Sequence, residues 1–332
     1  MFPEFELWTP HSLPEALAQI ATAEALPLAG GTNVIPDLRS GRHKARILLD
    51  ISRLDELHGI RRENGHVIIG GGVTLGELLA SPSEHSGCTC PEGVVARNGC
   101  SPGRTPGRCG PELVSEHAGP LVQAARLFAN PLVRNRATLA GNLVDASPAA
   151  DTAPPLLVLD AEVNLVSQAG CRTVPLKDFF IGVRKTVRRP DELLSGVRFP
   201  VTSLPPAGTA CGYYKLGLRK ADAISVVSVA IRLEVEADGR CRLARIALGS
   251  VAPTPIRAIA AEESLCGQAL TGKAFVEAGE LAAMAVSPIS DLRASADYRR
   301  RMVKVLVQRL LTQAADQIML RARTPEVFRK AG

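Results

Sequence analysis

The chain has 332 residues, of which 46% are hydrophobic and 22% are charged, and its formal net charge is +6. This length and composition predict a soluble globular protein of two or three domains and exclude general disorder. The basic residues are scattered and only 4% of residues are aromatic, which argues against a nucleic-acid-binding face, since such a face needs clustered charge and stacking rings.

The N-terminal residues contain early acidic side chains and no basic start before an apolar run, so the sequence predicts no signal peptide. No apolar stretch of the sequence is long enough to cross a membrane, and we therefore expect a cytoplasmic protein. Eight cysteines in a chain of this size do not indicate a small disulfide framework, and a local cysteine cluster in a reducing compartment favours metal binding over bridges.

The first predicted elements are a helix, a strand, a glycine loop and a second, short helix. Ser12 followed by Glu15 predicts an N-cap with an acid at the third helical position. An apolar strand then leads into Gly30-Gly31, and the short helix behind this loop would point its N-terminal amides at a bound phosphate. We predict that residues 1–57 form one subdomain.

A second subdomain is predicted over residues 58–200. It begins with a hairpin at Asn64-Gly65, and the three glycines at 70–72 indicate close approach of the backbone to a ligand or to another chain segment. Residues 81–115 form an insertion rich in Cys, Gly and Pro, for which function and disorder are the two explanations.

The last third of the chain predicts a sheet with helices. Residues 201–212 are rich in Pro and Gly and are interpreted as a linker. Two long strands meet at Asp238-Gly239, and a final helix carries one apolar face. We predict that residues 213–320 form the C-terminal domain.

The most informative stretch runs from Asn135 to Thr152. It combines small residues, the pair Gly141-Asn142 and two acidic positions, a composition that lets a backbone approach a ligand and turn its N–H groups outward. Together with the loop at Gly30-Gly31, it predicts a pyrophosphate, and hence a dinucleotide, held between two loops.

These motifs resemble the FAD-binding subunit of the molybdenum hydroxylase family, which includes xanthine dehydrogenases, carbon monoxide dehydrogenase and hydroxybenzoyl-CoA reductases. The resemblance continues in Asp191-Glu192-Leu193-Leu194, in Tyr214-Lys215 and in Val251 to Ala258. It implies an α+β fold, with a two-part PCMH-type FAD-binding domain followed by an α+β C-terminal domain in which helices accompany an antiparallel sheet, as in carbon monoxide dehydrogenase flavoproteins.

The resemblance also implies which residues hold FAD. The two loops would contact the pyrophosphate, Asp151 would contact the adenosine side through a ribose hydroxyl, and Lys215 would lie near the flavin ring; an exposed, uninvolved lysine is the alternative. Ala140 departs from the family pattern, which has glycine there. The predicted cofactor-binding residues are Ala29, Gly30, Gly31, Thr32, Asn33, Thr138, Leu139, Ala140, Gly141, Asn142, Asp151 and Lys215.

The insertion contains a candidate metal site made of Cys88, Cys90, Cys100 and Cys109. Four thiolates suit zinc or an iron–sulfur cluster, but their spacing fits no common signature, and a surface insertion without metal is the alternative. Hydroxybenzoyl-CoA reductases carry a comparable cysteine insertion on the other side of the second loop. The four other cysteines, Cys171, Cys211, Cys241 and Cys266, are expected to be buried structural thiols.

The resemblance implies a flavoprotein oxidoreductase subunit without catalytic side chains of its own. Its partners would be a molybdopterin-binding large subunit and a small subunit with two-iron two-sulfur centres, in a dimer of heterotrimers, with electrons leaving for an external acceptor. The alternatives are a hydroxybenzoyl-CoA reductase type with reversed electron flow, a free-standing FAD oxidoreductase, and an assembly subunit that has lost FAD.

Overall fold

Contacts between residues divide the chain into two units in the computed structural model, which describes residues 4–22, 24–80, 110–201 and 208–323. The first unit comprises Met1–His117, Phe128–Ser147 and Asp160–Val201, and the second comprises Ala118–Leu127, Pro148–Leu159 and Thr202–Gly332. In the described ranges, no helix has both the length and the apolar character needed to cross a membrane.

The first unit begins with a parallel three-stranded sheet in the order β1-β3-β2. Its elements are β1 (Glu6–Trp8), α1 (Leu13–Thr22), β2 (Ala25–Leu28), α2 (Val34–Arg39) and β3 (Ile47–Asp50). The predicted N-cap of α1 is confirmed, because the backbone N–H of Glu15 donates to Ser12 Oγ at 3.3 Å. Since β2 runs directly into the glycine loop and then α2, the loop lies at the carboxyl end of a parallel strand.

An antiparallel five-stranded sheet follows in the order β4-β5-β10-β6-β7. Its strands are β4 (Ile60–Glu63), β5 (His66–Gly70), β6 (Glu162–Ser167), β7 (Gly170–Pro175) and β10 (Leu193–Pro200). The predicted hairpin is confirmed, since Asn64 and Gly65 join β4 to β5 with φ of 48° and 75°. Both values lie in the left-handed region that a two-residue hairpin turn requires.

Short elements complete the first unit. The strands β8 (Phe180–Gly182) and β9 (Lys185–Thr186) pair with each other, and 3-10 turns occupy Asp55–Leu57 and Glu77–Leu79. The helices are α3 (Pro111–His117), α5 (Pro131–Arg134), α6 (Leu139–Val144) and α8 (Leu176–Phe179). One core cluster packs Leu17 and Ile20 of α1 against Leu49 of β3 and Leu193 of β10.

The second unit is built on an antiparallel sheet in the order β11-β12-β13-β14. Its elements are α4 (Gly119–Leu127), α7 (Ala153–Val158), β11 (Thr209–Gly217), β12 (Ser225–Val235), β13 (Cys241–Gly249), β14 (Ile256–Arg257), α9 (Ile259–Leu265), α10 (Gly272–Met284) and α11 (Ala296–Arg323). The apolar face predicted for the last helix is confirmed, because Val303, Leu306, Val307, Leu310 and Ala314 of α11 are buried in the core of this unit.

Two helices from the middle of the chain belong to the second unit. Contacts group α4 and α7 with the C-terminal sheet, although both fall within residues 58–200, for which the sequence predicts one subdomain. The backbone N–H of Tyr213 on β11, for example, donates to Gln123 Oε1 on α4 at 2.7 Å. β11 itself begins at Thr209, so the last residues of the segment 201–212 are strand.

Candidate cofactor-binding site

The first predicted phosphate loop forms the start of a helical turn. The backbone N–H of Ile35 donates to Gly31 O at 3.1 Å, and that of Asp37 donates to Asn33 O at 3.0 Å. The hydrogen-bonded pattern therefore begins at Gly31. Because the first N–H groups of a helical segment have no partner within it, the N–H groups from Gly31 to Val34 are the donors that this loop offers to an anion.

The second predicted loop lies directly against the first. A Cβ added to Gly30 would lie 1.7 Å from the carbonyl oxygen of Arg136 and 3.2 Å from the backbone nitrogen of Ala137. Only glycine permits an approach this close. The structure thus brings together two loops that are more than a hundred residues apart in the sequence, as the pyrophosphate prediction requires.

The second loop uses its own N–H groups inside the protein. Thr138 is the N-cap of α6, and its Oγ1 accepts from the N–H of Gly141 at 3.0 Å. The N–H of Leu139 donates to Val73 O at 2.9 Å, and that of Ala140 donates to Gly71 O at 3.2 Å. The first loop is consequently the richer source of N–H donors. The second loop is held in place by its own hydrogen bonds.

The glycine run at 70–72 approaches other chain segments. A Cβ at Gly71 would lie 2.3 Å from Leu194 O and 3.1 Å from the methyl carbon of Ala140. The sequence leaves open whether these glycines approach a ligand or another chain segment, and the structure shows that Gly71 approaches another chain segment. The methyl group of Ala140, where the family pattern has glycine, lies beside Gly71.

A buried polar cluster surrounds Asp151 in the second unit. Lys215 Nζ donates to Asp151 Oδ2 at 2.6 Å. Tyr213 Oη and Ser225 Oγ donate to Asp151 Oδ1 at 3.0 and 3.1 Å, and Lys215 Nζ also donates to Leu127 O at 3.2 Å. The side chains of Asp151 and Lys215 are each only 6% exposed, so this is an ion pair shielded from water.

Burial governs the titration of the cluster. It raises the pKa of Asp151, against the opposing effects of the Lys215 charge and of the hydrogen bonds from Lys215, Tyr213 and Ser225. Burial, and then the neighbouring Asp151 carboxylate, raise the pKa of Tyr213 well above its usual value. Tyr213 therefore stays protonated and acts as a hydrogen-bond donor.

Comparison with known proteins identifies the family of the chain through two successive matches. Residues 3–202 match the family described as the FAD binding domain in molybdopterin dehydrogenase, and residues 212–314 match the CO dehydrogenase flavoprotein C-terminal domain. The chain belongs to the molybdopterin dehydrogenase FAD-binding family. It is an oxidoreductase subunit whose cofactor is FAD.

Individual relatives match over nearly the whole chain. The carbon monoxide dehydrogenase medium chain of Hydrogenophaga pseudoflava is 30% identical over 94% of this chain and 97% of its own length. The putative xanthine dehydrogenase FAD-binding subunit of Escherichia coli K12 is 30% identical over 88% of this chain and 89% of its own length. These matches confirm the resemblance that the sequence motifs carry.

A solved structure shows the same fold. It is carbon monoxide dehydrogenase from Hydrogenophaga pseudoflava lacking the Mo-pyranopterin moiety of the molybdenum cofactor. The similarity has a TM-score of 0.82 at 31% identity and covers 96% of this chain and 99% of that chain. The predicted fold class, an FAD-binding domain followed by an α+β domain with an antiparallel sheet, is confirmed.

The loop pair has the features that the pyrophosphate of FAD needs. It offers consecutive backbone N–H donors at the start of α2, and the contact of Gly30 with Arg136 leaves no space for a side chain between the two loops. Backbone N–H groups at the start of a helical segment favour phosphate oxygens. The residues present therefore fit the cofactor of the molybdopterin dehydrogenase family.

The Asp151–Lys215 pair differs from the separate roles that the resemblance implies for its two residues. The resemblance assigns Asp151 to the adenosine side and Lys215 to the flavin ring, whereas the structure joins their side chains directly at 2.6 Å. Because Asp151 balances its charge, Lys215 presents a nearly neutral pair rather than an isolated cation. The Lys215 side chain is also buried, so the exposure assumed in the alternative interpretation is wrong, and the role of Lys215 towards FAD stays a prediction.

The cysteine predictions have two outcomes. Cys88, Cys90, Cys100 and Cys109 lie outside the described residues, and the described ranges contain no group of three or more His, Cys, Asp or Glu side chains suited to a metal ion. Cys241 is buried and Cys211 is partly buried, and burial raises their pKa values to about 12 and about 11. The burial predicted for Cys171 and Cys266 is wrong, since both are exposed.

Sequence reasoning missed several polar side chains near the predicted site. Tyr213 and Ser225 complete the Asp151 cluster; Tyr213 directly precedes the motif Tyr214-Lys215, whereas Ser225 lies on the neighbouring strand β12. Asp37 and Arg184 form an ion pair across 147 residues of sequence. No local sequence pattern points to that pair, because the burial of Asp37 is visible only in the structure.

Proposed function

We propose that this chain is the electron-transfer subunit of a multi-subunit molybdenum hydroxylase. It would serve transfer between iron–sulfur centres on a small partner subunit and an external electron acceptor, with a large molybdopterin-binding subunit completing a heterotrimer that dimerises. The names of the relatives support this proposal, since one is the medium chain of carbon monoxide dehydrogenase and another is an FAD-binding subunit of xanthine dehydrogenase.

The observation that carries the proposal is the contact between the two loops at Gly30 and Arg136. In the proposed site, the backbone N–H groups from Gly31 to Val34, in the loop Ala29–Asn33 and at the start of α2, bind the phosphate oxygens. The loop Thr138–Asn142 holds the opposite side, and its helix start at Thr138 is fixed by the side-chain cap on Gly141. Both loops are anchored by hydrogen bonds within the same unit, so the site is largely preformed.

The chemistry of the subunit belongs to its cofactor: FAD, when bound, accepts and releases electrons. The chain's own contribution is to bind, orient and electrostatically tune it. We propose that Asp151 and Lys215 contact FAD as one hydrogen-bonded pair, with Tyr213 and Ser225 holding the carboxylate in place. No side chain of this chain has to act as a general base.

The test is the visible absorption spectrum of the purified full chain, recorded before and after chemical reduction. We expect flavin bands that bleach on reduction. A broad iron–sulfur absorption beneath them would make Cys88, Cys90, Cys100 and Cys109 the ligands to substitute next. A colourless protein that takes up no added FAD, even with its partner subunits present, would overturn the flavoprotein proposal and favour an assembly role.

A further inference from the structure

Arg184 connects two helices of the first unit. It lies in the turn between β8 and β9 with a φ of 54°, and its Nη1 is 2.9 Å from Asp145 Oδ1 and 3.2 Å from Asp37 Oδ2. Its backbone N–H donates to Ala146 O at 3.0 Å. The β8–β9 turn is therefore attached to the end of α6 through both its backbone and its side chain.

The two carboxylates belong to the helices that start at the predicted phosphate loops. Asp37 lies in α2, which follows the loop Ala29–Asn33, and Asp145 is the C-cap of α6, which starts at Thr138. The Asp37 side chain is only 7% exposed. A carboxylate this buried needs a cation beside it; both Arg42 and Arg184 pair with Asp37, and Arg184 also contacts the end of α6.

We propose that Arg184 is a positioning residue for FAD, which fixes α2 relative to α6 and so fixes the separation of the two phosphate loops. This proposal rests on the proposed function. The two loops are in close backbone contact at Gly30. A small shift of α2 relative to α6 would therefore change the direction of the N–H groups in the first loop. The same guanidinium nitrogen, Nη1, reaches both carboxylates, so a single side chain joins the two helices.

A positioning role of Arg184 can be told apart from a role in fold stability. The Arg184 side chain is 47% exposed, so water screens its charge, and Arg42 still compensates the buried Asp37 carboxylate when Arg184 is lost. Loss of Arg184 should therefore change the loops and FAD affinity more than the melting temperature of the chain. A residue that only stabilised the fold would change the melting temperature first.

The chain offers two matched controls. Arg42 pairs with the same Asp37 carboxylate, with Arg42 Nη2 3.0 Å from Asp37 Oδ1 and 63% of the Arg42 side chain exposed, but among the described residues its side chain forms no hydrogen bond or ion pair with α6. Arg198 forms an ion pair of similar exposure with Glu162 at 2.7 Å, between β10 and β6. Replacing either arginine removes one positive charge from the first unit and leaves the α2–α6 connection through Arg184 in place.

The experiment compares R184Q and R184K with R42Q and R198Q in the full chain. FAD dissociation constants come from flavin fluorescence titration, and hydrogen exchange of the FAD-free chain reports the amides of Ile35, Asp37, Gly141 and Asn142. We expect R184Q to weaken FAD binding about tenfold and to speed exchange at both helix starts. R184K should lie between R184Q and the wild type, and both controls should stay within about twofold of the wild type.

Two results would overturn the positioning role: R184Q that binds FAD like the wild type, or R42Q that weakens binding as much as R184Q. The second result would mean that the charge on Asp37 matters and the connection to α6 does not. A wild-type chain that binds no FAD would count against the proposed function instead. Hydrogen exchange of the FAD-free variants would then still decide whether Arg184 fixes the two helix starts.

Discussion

Substitution of Gly30 by alanine, which adds one methyl group, tests the contact between the two loops. We predict that Gly30→Ala forces the loops apart, because its Cβ would lie 1.7 Å from Arg136 O. The expected cost is roughly 1–3 kcal/mol of unfolding free energy and at least about a tenfold loss of FAD affinity. Chemical denaturation of the FAD-free chain gives the first quantity, and flavin fluorescence titration gives the second.

The matched control for this substitution is Gly272→Ala. Gly272 starts α10, and an added Cβ there meets no atom within 4 Å, so both quantities should remain close to the wild-type values. If Gly30→Ala bound FAD as tightly as the wild type did, the loop contact would have no part in the site.

Lys215 compensates a buried charge, and its removal should be costly. We predict that Lys215→Met lowers the unfolding free energy by about 3–5 kcal/mol at neutral pH, since Asp151 keeps its burial and loses its cation. The double variant with Asp151→Asn should recover part of this loss, because no unpaired charge then remains. Denaturant unfolding of both single variants and the double variant measures the coupling between the two residues.

The pH dependence of the Lys215→Met penalty has a definite sign. Burial already raises the pKa of Asp151, and loss of the lysine charge raises it further. A carboxyl group whose pKa is higher in the folded state favours folding when protonated, so the penalty should shrink as the pH falls towards and below the raised pKa. A penalty that stays constant with pH would mean that lost packing, and not the unpaired carboxylate, causes the destabilisation.

At the scale of elements, Arg299 anchors the long helix α11 to the sheet of the second unit. Its Nη1 donates to Val226 O at 2.8 Å and to Ser250 O at 3.0 Å, and its Nη2 donates to Asp291 Oδ1 at 2.7 Å. Partial burial works against the charged carboxylate of Asp291, but hydrogen bonds from Arg299 and from the backbone N–H groups of Arg293 and Ala294 outweigh it. The pKa of Asp291 is lowered to about 2.

Asp291→Asn should therefore destabilise the anchored helix at neutral pH. A charge-assisted hydrogen bond of this kind contributes about 2 kcal/mol. Because the folded pKa lies below the ordinary value of about 4, the stabilisation is complete above that value and is lost as the pH falls towards about 2. The wild type and the variant should converge in acid, as unfolding curves recorded across this range would show. A constant difference between them would contradict the assignment.

Several elements could be predicted because their signals are local. Ser12 with Glu15 marks the start of α1, Asn64-Gly65 marks a hairpin, and the apolar spacing of α11 marks its buried face. Each depends on residues a few positions apart. The pair of glycine loops could also be predicted, since its composition alone indicates close approach of backbones.

Other features depend on contacts that no local pattern reports. The Asp151–Lys215 pair joins residues 64 positions apart, and Arg184 reaches Asp37 across 147 positions. Cys171 is exposed because β7 is an edge strand of its sheet, and the sequence of a strand does not state its position in the sheet. Long-range topology decides all three features.

At the scale of the whole molecule, each unit has a hydrophobic core of its own. In the first unit, α1 packs against β3 and β10; in the second, α11 packs against the antiparallel sheet. The single tryptophan of the chain, Trp8, lies in β1 of the first unit. Its fluorescence therefore reports unfolding of the unit that carries both predicted phosphate loops, whereas far-ultraviolet circular dichroism reports both units.

Trp8 fluorescence allows FAD binding to be measured as an increase in the stability of the first unit. A ligand that binds only the folded state raises the unfolding free energy by about 2.7 kcal/mol at a hundredfold excess over its dissociation constant. We predict that added FAD raises the midpoint of the thermal transition followed by Trp8 fluorescence, with a shift that grows with the logarithm of FAD concentration. Gly30→Ala should remove most of the shift, while Gly272→Ala should keep it. A Trp8 midpoint that stays fixed at every FAD concentration would mean that the first unit does not bind the cofactor through these loops.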